Sequence, residues 1–185
     1  MEHGSNYDRE IKNILSTFKG ETFYCESLDQ RGVASLIESE VQLKFSKQNL
    51  FEYHDPKSVR SIDDFTLSII GHNYLIDVKT HDLDRSFSMP NLISTERLYK
   101  LYQDQDITFG IMILDYEEIS KGKKKIKDTK FFPIENISWE SLSIQNLGHG
   151  QIQITDLSKP IKLFKGTRDE WLSQFSIEMV KYQDK

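Results

Sequence analysis

Asp77 and Lys79 stand two residues apart in Tyr74-Leu75-Ile76-Asp77-Val78-Lys79-Thr80, and Asp64 lies thirteen residues upstream of Asp77. In an extended strand, residues two apart leave the same face. A carboxylate and an amine would then project side by side while Ile76 and Val78 turn the other way, into a core. With residues 65–70 and 74–79 as the arms of a hairpin, joined by a turn at Gly71-His72-Asn73, Asp64 returns beside Asp77. Two carboxylates so placed repel when ionised and favour a raised pKa or a bound hard cation. Mg²⁺, with Mn²⁺ as a substitute, prefers oxygen ligands and keeps several waters. Asp64, Asp77, the main-chain carbonyl of Val78 and a phosphate oxygen would suit it. Lys79 beside them would orient water and stabilise charge building on a phosphoryl group. The chemistry in view is metal-dependent phosphodiester hydrolysis, with Asp64, Asp77 and Lys79 catalytic and Glu38 holding a water.

Competing residues are few. Asp63 rivals Asp64, and Glu40 rivals Glu38. Asp55-Pro56 reads as a turn. The histidines His3, His54, His72, His81 and His149 are scattered, without the spacing of zinc ligands. His72 falls in the expected turn, whereas His81, two residues beyond Lys79, could touch a phosphate.

Positioning that hairpin takes a frame of other elements. Ile11, Ile14, Leu15 and Phe18 form one stripe of a first helix, stopped by Gly20. A second helix over 33–45 sets Val33, Leu36, Ile37, Val41 and Leu43 or Lys44 around its inner face and carries Glu38. A third begins after Pro90, near Ser94, and runs through Leu98, Leu101 and Tyr102. The Ile-rich run 107–114 has the pattern of a buried central strand. Ile152 and Ile154, alternating with Gln151, Gln153 and Thr155, read as another. Thr167 and Glu170 form a capping box that opens a last helix before Trp171, Leu172 and Phe175. Five lysines within 121–127 read as a solvated hairpin loop, with a phosphate-contacting loop as the alternative. The order of elements implies an α/β (α+β) fold, a central mixed β-sheet flanked by helices. No repeat, low-complexity tract or linker divides the chain, which reads as a single domain over 1–185.

Composition sets outer bounds. The 185 residues include 37% hydrophobic and 29% charged side chains, a globular rather than disordered balance. The one cysteine, Cys25, cannot form an internal disulfide. Polar residues interrupt the N-terminus, and no apolar run approaches a membrane span, so a cytoplasmic protein with no membrane partner is expected. The net charge of −5 argues against a protein that coats DNA. It does not argue against one that cuts DNA, because a metal-dependent nuclease needs carboxylates and can gather its phosphate contacts in one cleft.

The strand 75–80, followed by Ser86-Phe87-Ser88-Met89-Pro90-Asn91-Leu92-Ile93-Ser94, resembles the active-site region of the HincII/HindII restriction endonucleases, within the PD-(D/E)XK nuclease superfamily. In that family an aspartate precedes a Leu-Asp-Val-Lys-Thr strand and then a Pro-Asn-x-Ile-Ser run. Asp64, Asp77 and Lys79 fall on its catalytic positions. Lys165-Gly166-Thr167-Arg168-Asp169-Glu170-Trp171 is a second match, and Gln151-Ile152-Gln153-Ile154 a looser one. The likeness covers about residues 63–98 and 164–175. This chain has less material before the site, and Ser88 stands where the family's DNA-contacting turn has a larger glutamine, so no recognition sequence carries over.

The resemblance implies a restriction-endonuclease-like core and a Mg²⁺-dependent type II enzyme that cuts double-stranded DNA to 5′-phosphate ends without a nucleotide cofactor. It also implies a homodimer, one active site per subunit cutting one strand of a two-fold symmetric sequence. Ser86, Ser88 and Asn91 would border a groove and read bases, with His81, Gln151 and Gln153 as further DNA-binding candidates. The alternatives are another nuclease of this fold, such as a repair nickase or junction resolvase, and a DNA-binding protein with structural carboxylates. Binding phosphate alone gives no reason to gather Asp64 and Asp77, which argues against the last.

Overall fold

The computed structural model describes residues 3–25, 29–56, 58, 61–147 and 150–184, with side chains from residue 7 onward. His149 lies outside the described residues, as does the side chain of His3. The chain runs α1 (His3–Ser16), β1 (Thr22–Tyr24), α2 (Gln30–Ser46), β2 (Glu52–His54), β3 (Phe65–Ile69), β4 (His72–Asp82), β5 (Asn91–Ser94), α3 (Thr95–Leu101), β6 (Ile107–Ser120), β7 (Lys123–Pro133), β8 (Leu142–Gln145), β9 (Gln151–Ile154) and α4 (Arg168–Gln183). Six strands form the main sheet in the order β1-β7-β6-β4-β3-β2, with β4 and β6 parallel and the other pairs antiparallel. A smaller sheet, β5-β9-β8, is antiparallel.

β6 is apolar on both faces because both are covered. Met112, Leu114 and Tyr116 join one core with Ile11 and Leu15 of α1 and Ile37 and Val41 of α2. Phe109, Ile111 and Ile113 join a second core with Leu98 of α3, Ile152 of β9 and Trp171 of α4. The alternation places every second residue in each core, the pattern of a central strand buried on both sides. Gly110 is dictated by the first core: a Cβ there would lie 2.6 Å from the Phe131 ring and 3.0 Å from Ile76.

Three details differ from the sequence reading. The β3–β4 turn is the two-residue Ile70-Gly71, with φ of 44° and 77°. Positive φ at both central positions matches the twist of the flanking strands, at a conformational cost to the β-branched Ile70. His72 is therefore the first residue of β4 rather than a turn residue, and its Nε2 lies 2.9 Å from the Thr108 hydroxyl. The central strand runs past Leu114 to Ser120, where its acidic side chains meet the lysine cluster. Lys124 pairs with Glu118, and Lys127 lies 3.1 Å from Glu117. The lysines thus lie on the β6–β7 hairpin, in keeping with the hairpin reading of the sequence.

At the other end of the chain the capping box forms as read. The Thr167 amide donates to the Glu170 carboxylate at 2.7 Å, and the Glu170 amide donates to the Thr167 hydroxyl at 3.2 Å. Trp171, fully buried, donates its ring N–H to the Ile137 carbonyl at 2.8 Å.

Candidate active site

The pairing of β3 with β4 ends at Phe65 and Ile76. From Asp77 to Asp82, β4 pairs with β6 on one side while its other edge has no strand partner among the described residues. Asp64 caps the point of separation. Its amide donates to the Ile76 carbonyl at 2.7 Å, and its carboxylate accepts from the Val78 amide at 2.6 Å. A strand residue directs its N–H and C=O to the same side, so the Val78 carbonyl also faces this edge. Asp77 and Lys79, of opposite parity to Ile76 and Val78, share one face, and the Lys79 ammonium donates to Asp77 Oδ1 at 2.5 Å. Sequence spacing alone had placed these three side chains together, and the fold does so.

Burial sets the electrostatics. Asp77 is 5% exposed, and desolvation drives its pKa up to about 7, against the opposing pull of Lys79 and with further help from Asp64. Burial likewise raises Asp64, opposed by the hydrogen bond from Val78 and by Lys79. Glu38 on α2 is raised by burial and then by the charge of Asp64, while Lys79 lowers it. Its carboxylate is thus close enough to feel both groups. Glu40 sits two residues on along the same helix, a spacing that turns it away from the side that Glu38 presents. Asp63 is engaged elsewhere, accepting from the hydroxyls of Ser61 and of Thr66 (2.8 Å). Of the rival pairs, Glu38 and Asp64 are the ones beside Asp77.

A cavity of about 720 Å³ opens over this edge, lined by Asp64, Asp77, Lys79, Asn91, Arg97 and Gln151 among others. Asn91 lies on the short strand β5 rather than in a loop, exposed, with its carboxamide oxygen accepting from Gln153. Gln153 is itself buried, so it supports Asn91 while Gln151 reaches the cavity. Ser86 is exposed in the turn after β4, and Ser88 lines a neighbouring cavity. His81 needs correcting as a surface contact. It is 3% exposed, with Nδ1 3.1 Å from Asp115, so it is buried against the neighbouring strand rather than presented at the surface.

Two residues escaped the sequence reading. Gln42, one turn beyond Glu38, donates to the Asp64 carbonyl at 2.9 Å and lies 3.4 Å from the Glu38 carboxylate, tying α2 to the edge. The i, i+4 spacing from Glu38 was the signal that could have found it. Arg97 enters the cavity from α3, three residues after the helix cap Ser94.

The donor set fits a hard divalent cation. Asp77 Oδ2 is buried and has no hydrogen-bond partner, an orphan acceptor of the kind that a folded chain rarely leaves. With the Asp64 carboxylate and the Val78 carbonyl it offers oxygens only, the preference of Mg²⁺ and Mn²⁺. Among the described residues, no group of three or more His, Cys, Asp or Glu side chains is gathered to hold an ion alone. Water and substrate oxygens would have to complete the shell, as Mg²⁺ commonly requires.

No protein-family model matches the chain, and no curated protein sequence does. Among solved structures, the NlaIV restriction endonuclease aligns over 98% of this chain and 88% of its own, with a TM-score of 0.54 at 15% identity. Archaeoglobus fulgidus Hjc, a Holliday junction resolvase from an archaeal hyperthermophile, aligns over 76% of this chain and 98% of its own. Its TM-score is 0.37 at 13% identity, too low to bear on the fold. The first likeness is one of fold: this chain has a restriction-endonuclease-like α+β fold, a mixed central sheet flanked by helices.

Proposed function

We propose that this protein is a Mg²⁺-dependent DNA endonuclease of the PD-(D/E)XK type, and more narrowly a type II restriction enzyme related to the HincII/HindII group, acting in the cytoplasm as a homodimer on double-stranded DNA. The observation that carries the reading is the buried, unpartnered Asp77 Oδ2 beside Asp64 and Lys79 on an unpaired strand edge within a cavity. The restriction-endonuclease-like fold supports it.

Asp64, Asp77 and the Val78 carbonyl would hold the cation, which when bound neutralises phosphate charge and makes a nearby water more acidic. The remaining work falls to the chain's own side chains. Asp77 fixes the Lys79 ammonium through their hydrogen bond, so Lys79 can donate to a phosphate oxygen as charge builds there. Gln42 fixes the Asp64 backbone and borders Glu38, leaving Glu38 to orient the attacking water. That water adds to phosphorus, and the bond to the 3′ oxygen breaks, giving a 5′-phosphate and a 3′-hydroxyl. Asn91 and Gln151, on the cavity wall, would meet base edges.

Unmethylated phage DNA incubated with the protein and Mg²⁺ tests this reading. Discrete bands are the expected result. Nicks or smears would replace the restriction reading with that of a nickase or resolvase, and intact DNA with a mobility shift would reduce the protein to a DNA-binding one.

A further inference from the structure

At a net charge of −5 the protein can approach DNA only where its cations are not already neutralised. Much of its lysine is spent internally: Lys100 on Glu96, Lys124 on Glu118, Lys127 on Glu117 and Lys130 on Asp115. Two arginines differ. Among the described residues, the exposed side chains of Arg31 and Arg97 have no ion-pair or hydrogen-bond partner.

Both also break the same local rule. Arg31 is the second residue of α2, and Arg97 the third of α3. A cation in the first helical turn opposes the macrodipole, at a cost on the order of a few tenths of a kcal/mol. Helix stability therefore gives no reason for either placement, and a residue set against local preference points to function.

Their positions relative to Lys79 supply the reason. Arg97 lines the cavity that holds Asp64, Asp77 and Lys79. Arg31 lines a separate cavity of about 370 Å³ with Thr80, Arg85 and Ser88. The acid of that second cavity, Asp82, lies 3.9 Å from Arg85, which leaves Arg31 as its unopposed cation. Thr80 directly follows Lys79 and points to the opposite face of the strand, so the two cavities flank one unpaired edge. The guanidinium fork suits phosphate oxygens better than a point charge does.

We propose that Arg97 and Arg31 grip backbone phosphates on the two sides of the free edge of β4, so that the DNA strand to be cut lies across Lys79. The proposal rests on the DNA-nuclease reading and adds to it where the backbone runs.

The test is binding of a short duplex of arbitrary sequence in Ca²⁺, at several KCl concentrations, by the full chain and its variants. Each of Arg31→Ala and Arg97→Ala should reduce the slope of log Kd against log [KCl] by about 0.9, and the double variant by about twice that. The same variants should weaken binding to unrelated sequences equally and keep the wild-type melting temperature. Arg31→Lys and Arg97→Lys should retain the slope, as should Arg9→Ala on the remote helix α1. Unchanged slopes for the two alanine variants, a loss confined to one sequence, or an equal fall in Arg9→Ala would overturn the track. If the wild type still cuts DNA in Mg²⁺ under those outcomes, the nuclease reading survives alone. A wild type that neither binds duplex nor cuts it overturns both.

Discussion

The segment 164–175 and the segment 64–79 solve opposite problems. In the first, Thr167 and Glu170 satisfy each other's backbone, and Trp171 buries its ring while its N–H finds the Ile137 carbonyl. In the second, an aspartate is buried with one oxygen unpartnered, beside another carboxylate that also resists ionisation. A stretch selected only to fold would look like the first. The second accepts a local cost that folding does not need, as the proposed cation and phosphate site would require.

Substitutions in each segment should separate these roles. Trp171→Ala removes the fully buried side chain at the centre of the second core and should cost about 3–5 kcal/mol in urea unfolding. A loss under about 1 kcal/mol would mean that segment is not the stability anchor. Lys79→Ala should slow single-turnover cleavage by about 10²-fold or more, some 3 kcal/mol of transition-state stabilisation, in a protein that still folds. A variant cutting near the wild-type rate would strip Lys79 of its role.

Asp77→Asn sharpens the contrast further, because it should stabilise the metal-free protein while ending cleavage. The sign follows from the raised pKa. Between the ordinary carboxylate value near 3.8 and about 7, the folded state holds a proton on Asp77 that the unfolded state has released. Stability of the metal-free protein therefore falls as pH rises through that window, and the loss is complete above it. Asp64 and Glu38, raised as well, act in the same direction. At pH 8 without metal, Asp77→Asn should gain on the order of one to a few kcal/mol in chemical denaturation, and the pH slope should flatten. A variant less stable than wild type at pH 8 would mean the buried carboxylate is a structural partner rather than a cost.

Periodic elements were legible from the chain alone: the β6 run, the helix over Glu38, the capping box, and the face shared by Asp77 and Lys79. Each rests on spacing, which sequence shows directly. The turn expected at 71–73 falls at 70–71, because Gly71 signals a turn without saying whether His72 or Ile70 joins it. A β-branched residue at positive φ is not a reading sequence invites. His81 looked like a surface contact because strand parity put it with Lys79. Parity cannot show that Asp115, thirty-four residues later on the parallel neighbour, would cover it. Arg97 depends on tertiary placement, which no local pattern encodes, whereas Gln42 carried a local signal in its i, i+4 spacing from Glu38.

The central claim is that Asp64, Asp77 and Lys79 form a cation-dependent cleavage site. Conversion of supercoiled plasmid under single-turnover conditions tests it most directly, comparing Mg²⁺, Mn²⁺, Ca²⁺ and excess chelator for the wild type and for Asp77→Asn. The account predicts cleavage by the wild type in Mg²⁺ or Mn²⁺, none in Ca²⁺ or chelator, and none by the variant in any of them. Undiminished cutting by the wild type in excess chelator, or by Asp77→Asn in Mg²⁺, would contradict it.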